Sequence, residues 1–244
     1  MAKLSVNLNK IALLRNTRAL DIPSVTRAAR IVISAGADGI TVHPRPDGRH
    51  VRATDVSELA QLLLATPNVE FNIEGNPFQN LLEYVRQVRP HQCTLVPDES
   101  GQFTSDHGWD LSKDAEKLRP IVAELRSLGI RVSLFMDAIP SAMQQVRDLG
   151  ADRIELYTEP YAQAFGTENE TMVLNLYVEA AMAAKSAGLE INAGHDLNLA
   201  NLPAFVIALP DLKEVSIGHA LVADALEFGL AETVKRYIVA ARGG

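Results

Sequence analysis

The stretch GITVHPRPDGRH, residues 39–50, changes character at its centre. Its first half carries Ile40, Thr41 and Val42, a β-branched run that reads as a buried strand. Its second half brings two histidines and two arginines, His43, Arg45, Arg49 and His50, among the turn formers Pro44, Pro46, Asp47 and Gly48. Two readings compete. The segment is either a solvated loop or an anion-binding loop fed by a buried strand, and its place in the whole fold decides between them.

Working outward, the same unit recurs: a short apolar run, a loop, then an amphipathic helical stretch. Strands are expected at residues 4–8, 39–43, 69–74, 92–96, 131–136, 153–157, 189–194 and 214–219. Helical stretches such as PSVTRAARIVISAG, TDVSELAQLLLAT, PFQNLLEYVRQVRP, DAEKLRPIVAELRSLG and VLNLYVEAAMAAKSAG lie between them. Several open on a capping residue or a proline, as at Asn76-Pro77, and several close on a glycine, at Gly36, Gly129, Gly150 and Gly188. Eight strand-helix units in 244 residues predict an α/β fold, a closed (β/α)8 TIM barrel with additional helices, built as one domain over residues 1–244. An open doubly wound sheet is the competing architecture. It would want G-x-G-x-x-G after the first strand, where NLNKIALLRN stands instead.

Composition narrows the function. Hydrophobic residues make up 47% of the chain, and no apolar stretch is long and charge-free enough to suggest a membrane span or a secretory leader, so a soluble, cytoplasmic chain is expected. The net charge of −7 argues against nucleic acid or an anionic membrane as partner, both of which need a basic surface. Any anion must therefore be captured locally. The single cysteine, Cys93, sits in the apolar run CTLV and reads as a small core residue.

In such a barrel the chemistry sits where the C-terminal ends of the strands meet. The eight predicted ends carry Asn7, Asn9 and Lys10; His43 and Arg45; Glu74; the segment PDESGQFTSDHGWD; Asp137; Glu155 with Thr158 and Glu159; Gly194-His195-Asp196; and Gly218-His219. His43 and His195 are either core-edge histidines or catalytic groups, and their shared rim favours catalysis. Glu74 closes an otherwise apolar strand, where an unpaired carboxylate is costly, which favours a site role. Glu155 reads equally as a site group or as the partner of a buried cation. Asp137 reads as a helix cap or an acid, His91 and His107 as structural, and Arg18 as a surface residue or one aimed across the rim. The two Gly-His steps after strands seven and eight suit a phosphate site, in which glycine lets backbone N–H groups approach an anion at a helix N-terminus. Arg45, Arg49, His50 and Arg52 form a second cationic cluster. Two anion sites imply two phosphorylated substrates or one bisphosphate.

The segments GITVHPRPDGRH, NIEGNP, CTLVP, IELYT, INAGHDLNLANL and SIGHALV, in this order, closely resemble the pyridoxine 5'-phosphate synthase family of the vitamin B6 pathway, from Leu4 to the C-terminus. The resemblance implies a TIM barrel that joins 3-amino-2-oxopropyl phosphate to 1-deoxy-D-xylulose 5-phosphate, giving pyridoxine 5'-phosphate, phosphate and water, with neither metal nor organic cofactor. It implies His43 and Glu74 as proton acceptors, His195 as proton donor and Glu155 as the group that stabilises the transition state. Arg45, His50 and Thr104 would hold the deoxyxylulose phosphate. Asn7, Arg18, Asp196, Gly218 and His219 would hold the amino-ketone phosphate. A homo-oligomer, specifically a homooctamer, is implied as well. The chain departs from the family at two places. Many members read Asn-x-Asp-His where this chain has Asn7-Leu8-Asn9-Lys10, which leaves the roles of Asn9 and Lys10 open, and glycine often stands where Asp196 follows the histidine.

Three other activities compete on the residues alone. A phosphosugar isomerase, epimerase or aldolase is one, although strand six offers Glu155 and Tyr157 rather than a Schiff-base lysine. A metal-dependent hydrolase would want His-x-His on strand one, where Asn7-Leu8-Asn9 stands. A non-catalytic phosphate-binding barrel would bind ligand without turnover.

Overall fold

The structure, a computed structural model, describes residues 1–99 and 101–244. Eight parallel strands close on themselves: β1 (Lys3–Asn7), β2 (Gly39–Val42), β3 (Glu70–Gly75), β4 (Gln92–Leu95), β5 (Arg131–Met136), β6 (Arg153–Tyr157), β7 (Glu190–Gly194) and β8 (Leu212–Ile217). Each pairs with the next in sequence and β8 pairs with β1, so the expected closed barrel is the observed one. Eleven helices among the described residues surround it: α1 (Asn9–Asn16), α2 (Val25–Ser34), α3 (Ala53–Leu64), α4 (Leu81–Val88), α5 (Leu111–Ser127), α6 (Met143–Leu149), α7 (Glu159–Ala164), α8 (Glu170–Ser186), α9 (Leu202–Ala208), α10 (His219–Phe228) and α11 (Leu230–Ala240). The additional helices arise after β1, β6 and β8, where α1 precedes α2, α7 precedes α8 and α10 precedes α11, on the side to which the strand ends point.

Most strand boundaries fall within one residue of the sequence expectation, and the larger differences, at β8 and α4, have identifiable reasons. β8 starts at Leu212 rather than 214, because Lys213 is exposed between buried Leu212 and Glu214 and its charge hides the alternation in the sequence. It also ends at Ile217, so Gly218 caps α10 and His219 is that helix's first residue. Within the stretch NLNKIALLRN, Asn7 closes β1 and Asn9–Asn16 form α1. Asn76-Pro77 does not open a helix: the Asn76 side chain accepts from the Phe78 N–H (2.8 Å), closing a separate turn, and α4 begins only at Leu81.

Aliphatic side chains facing outward from the strands pack against the helices, with Leu4, Val6, Ile40, Ile73, Leu134 and Leu156 fully buried. Cys93 lies among them, and burial pushes its thiol up, as suits a core residue. The barrel interior, in contrast, is polar. The Ser5 and Thr41 hydroxyls lie 2.7 Å apart, Thr94 donates to Asn72 (3.1 Å), and Asn192 donates to Glu214 (3.3 Å). At the N-terminal end Arg153 bridges Glu190 (2.7 Å) and Gln92 (3.1 Å). Such a lining holds its shape through hydrogen bonds, where many barrels use layers of branched aliphatics.

Glu214 is buried in this lining, and burial pushes its carboxyl up to about 7 against the pull of Arg153. The folded chain therefore retains a proton that the unfolded chain, with its carboxyl near 4.5, has already released. Stability from this group is full below the unfolded value and is lost as pH rises through about 7. Glu214→Gln should abolish that slope. Denaturant unfolding at pH 5 and pH 8 should show the variant losing less stability over this interval than the parent, by on the order of 2 kcal/mol; equal losses would contradict the burial.

The segment after β2 is anchored from α1. Arg15, in the last turn of α1, makes a two-pronged pair with Asp55 of α3, with one bond at 2.9 Å, and donates to the His50 carbonyl (3.0 Å). Asp55 also accepts from the Arg52 N–H (2.7 Å), which caps α3. Asn16 donates to the carbonyls of Arg49 (3.0 Å) and His50 (2.8 Å). Consequently the loop's site-facing residues are buried, with His43, Arg45 and His50 only 6%, 8% and 8% exposed, while Pro46, Asp47 and Gly48 at its tip face solvent. Removing one member of a buried pair leaves the other uncompensated, so Asp55→Ala should cost about 3–5 kcal/mol in denaturant unfolding. A cost below about 1 kcal/mol would show that the pair does not hold the loop.

Candidate active site

A cleft of about 360 Å³ opens at the C-terminal mouth of the barrel. Asn7, Asn9, Lys10, His43, Arg45, His50, Glu74, Thr104, Glu155, His195, Asp196, Gly218 and His219 all line it. Residues far apart in sequence meet here because each lies at or just beyond a strand end.

Two carboxyls form its floor. Glu74, next to last in β3, accepts from the Asn7 side chain (3.4 Å); Glu155 lies in β6 and accepts from Thr94 (3.4 Å). Burial, reinforced by Glu155 and Asp98, drives Glu74 well above the usual carboxylate range. Burial likewise raises Glu155 to about 7, opposed by His195 and the Thr94 hydroxyl. The site makes room for Glu155 through Gly194: a β-carbon there would lie 2.4 Å from the Glu155 Oε1 atom. Any side chain at 194 would displace the carboxyl.

Cationic and imidazole groups line the wall. His43 is held well below its usual range by burial, then by Arg45 and His50, so its imidazole is neutral at pH 7 and able to accept a proton. Its Nε2 lies 3.9 Å from Asp98 Oδ2, a polar contact with a neutral ring rather than an ion pair. Burial and Arg45 bring His50 down to about 4. His50 Nδ1 accepts from the Val51 N–H (2.9 Å), which puts the ring proton on Nε2 as a hydrogen-bond donor. Arg45 pairs with Asp98 and donates to the Gln102 carbonyl (3.0 Å), while Arg49 reaches the Gln102 (3.0 Å) and Phe103 (3.2 Å) carbonyls. This wall therefore joins the loop after β2 to the loop after β4, which carries Thr104.

His195 and Asp196 follow β7 with left-handed backbones, at φ 86° and 54°. Thr104 Oγ1 lies 2.9 Å from His195 Nε2, and Asp196 Oδ2 lies 3.2 Å from His195 Nδ1. The left-handed backbone of Asp196 accounts for a position where glycine is at home, and Asp is among the few other residues that tolerate it. Its carboxylate, which would repel a phosphate, is turned onto the imidazole. Beside it, Gly218 packs against Asn7, with a β-carbon at 218 only 3.1 Å from the Asn7 Cβ, and caps α10, whose first turn faces the cleft.

At the two open positions, Asn9 is a scaffold residue. It accepts from the His43 N–H (2.9 Å) and donates its own N–H to Asn7 (2.9 Å), tying β1 to β2. Lys10 lines the cleft and pairs with no carboxylate among the described residues, unlike Arg45 and Arg49, which hold Asp98 and Asp47.

Some expected residues lie elsewhere. Arg18 is exposed on the turn after α1 and does not line the cleft. Arg52 leaves the cationic cluster for Asp21 (3.1 Å). Asp137 caps no helix and accepts instead from the Gly108 N–H (3.1 Å). His91 accepts from the Phe71 N–H (3.0 Å), a structural bond, and His107 pairs with Asp106 at the surface (2.5 Å). Asp98, at the centre of the wall, carried no sequence signal, since a carboxylate in PDESG looks like any turn former. It accepts from Ser105 (2.9 Å), and its carbonyl takes bonds from Asn76 (2.9 Å) and Gln79 (3.1 Å).

Glu159, His195 and Asp196 offer donor atoms within 4.8 Å of one another and are the only such metal-ligand grouping among the described residues. All three are already engaged. Glu159 accepts from the Tyr157 hydroxyl and from Gln163 (2.7 Å), and His195 is held by Thr104 and Asp196.

Comparison with known proteins bears on the fold and the family. Among solved structures, a chain of tryptophan synthase from M. tuberculosis superposes with a TM-score of 0.66 at 12% identity, covering 99% of this chain and 93% of the other. A phosphoribosylanthranilate isomerase from Thermotoga maritima gives 0.60 at 14% identity over the full length of both chains. At these identities the likeness concerns the barrel alone. Sequence relatives are far nearer. The pyridoxine 5'-phosphate synthase of Albidiferax ferrireducens is 59% identical, covering 97% of this chain and 96% of its own. That of Xanthomonas campestris pv. campestris is 54% identical (99% and 96%), and that of Mesorhizobium japonicum 53% (97% of each). The family profile described as pyridoxal phosphate biosynthesis protein PdxJ matches residues 4–242, and this chain belongs to that family.

Proposed function

We propose that this chain is a pyridoxine 5'-phosphate synthase, condensing 3-amino-2-oxopropyl phosphate with 1-deoxy-D-xylulose 5-phosphate to pyridoxine 5'-phosphate, phosphate and water. The observation that carries the reading is the convergence of His43, Glu74, Glu155 and His195 in one cleft with two cationic or N–H-rich walls. Imine formation, loss of phosphate and ring closure each make or break a bond with protons moving alongside, the transfers that positioned imidazoles and carboxyls serve.

In this reading Arg45, His50 and Thr104 take the deoxyxylulose phosphate, and Arg45 must release Asp98 to do so. The first turn of α10, with Gly218 and His219, and the side chain of Asn7 take the amino-ketone phosphate. The Asp196 backbone N–H belongs to the same wall, and Lys10 adds a point charge to it. His43, neutral at pH 7, serves as a base. Burial favours the protonated form of Glu74, and the ammonium group of the amino ketone, entering beside it, favours the carboxylate that can then accept a proton. Glu155 stabilises positive charge as the imine forms, and His195 returns a proton. Arg18, on its exposed turn, reaches substrate only if that turn folds over the mouth.

We read the chain as one barrel domain, since its core runs from Ala2 to Ala241, and as a homo-oligomer. The exposed apolar residues Leu20 and Ile22, 61% and 70% accessible, support a partner surface. Charged phosphate esters do not cross membranes unaided, which favours the cytoplasm as the place of reaction; no helix among the described residues is long and apolar enough to span a bilayer.

Incubation of the purified protein with both phosphorylated substrates should yield pyridoxine 5'-phosphate by absorbance and mass, with none formed from either alone. Absence of product from a folded, ligand-binding protein would overturn the reading. In the same assay His43→Ala and Glu74→Ala should lower turnover about a hundredfold or more while the fold is kept; unchanged turnover would remove those assignments.

A further inference from the structure

The left-handed pair His195-Asp196 follows β7 and sets the Asp196 carboxylate against the His195 imidazole. We propose that the Asp196 carboxylate is a positioning residue for His195, fixing the imidazole tautomer and orientation for proton transfer. The proposal rests on the reading of His195 as the proton donor and gives the Asp196 side chain a role distinct from phosphate binding through its backbone.

Geometry carries it. The carboxylate oxygen lies 3.2 Å from Nδ1, and a carboxylate can only accept, so Nδ1 bears the proton. Nε2 is then the nitrogen that exchanges protons with substrate, and the Thr104 hydroxyl, at 2.9 Å, lies in that direction. The ring is held from a third side by Tyr157, edge-on at 5.3 Å between centroids. The contact with His195 also keeps the Asp196 carboxyl below the usual range, so the acceptor stays ionised. Glu155 on β6 and Glu159 at the start of α7 are the other acids facing the ring, while Lys10 and His219 face Asp196. Glu159 is tied to the Tyr157 hydroxyl, which leaves Asp196 as the carboxylate bonded to Nδ1.

A purely conformational role makes the opposite prediction. At φ 54° glycine is more comfortable than aspartate, so if Asp196 served only the turn, Asp196→Gly would be neutral or stabilising and would keep its activity. The test uses Asp196→Gly and Asp196→Asn in the full chain. Expected is a drop in kcat of about tenfold or more in both, part of the ~10²–10⁴-fold that a positioned acid or base supplies, with KM nearly unchanged and folding intact. Nitrogen-15 spectra of the histidine rings, assigned with His195→Gln and recorded without substrate, should show His195 protonated at Nδ1 in the parent and shifted toward the Nε2–H tautomer in both variants. Parent-like kcat in both variants, a rise in KM alone, or an unchanged tautomer would overturn the proposal. The spectra need no turnover, so a parent protein that made no product would count against the synthase reading and leave this hydrogen bond separately decided.

Discussion

Two carboxyls, Glu74 and Glu155, sit in the mouth of the barrel where water is largely excluded, and the rest of the site answers to that placement. A buried carboxylate without compensation is costly, so burial toward the ends of β3 and β6 shifts both acids toward the protonated form. Thr94 and Asn7 supply the hydrogen bonds that keep them in place, and Gly194 vacates the volume that Glu155 fills. The polar barrel lining below continues this arrangement down to Glu214.

Around the acids, cations are placed by scaffolds of their own. Arg15 and Asn16 of α1 grip the backbone of the loop after β2, and Arg45 and Arg49 reach from it to the loop after β4. Arg45 is neutralised by Asp98 within the cleft. The histidines are kept neutral by the same burial and the same arginines. One set of contacts thus explains both why the loop is ordered and why its imidazoles can act as bases and donors at neutral pH.

Much of this was legible in the sequence because it depends on period and position. The recurring strand-helix unit specified a barrel, and a barrel rim collects strand ends, so Asn7, His43, Glu74, Glu155, His195 and His219 could be placed together before any coordinates. Asp98 could not, since its burial comes from Ser105, Asn76 and Gln79 closing around it, and nothing in PDESG marks that. Arg52 and Asp137 failed for the converse reason. Residue type suggested a site, but local partners, Asp21 and the Gly108 N–H, take them elsewhere. The start of β8 was masked by a single exposed lysine, and the contact between His195 and Asp196 depends on two left-handed backbone positions that residue type alone does not announce.

The central claim is that burial sets the protonation of the acids in the mouth, and Glu155 reports it most directly. An infrared titration of the parent against Glu155→Gln isolates the carboxyl C=O band of that one residue. The account predicts a band that persists through pH 5 and disappears with a midpoint near 7, absent from the variant throughout. A midpoint in the ordinary carboxylate range, near 4.5, would contradict it and would make the cleft a solvated rim rather than a buried acid-base site.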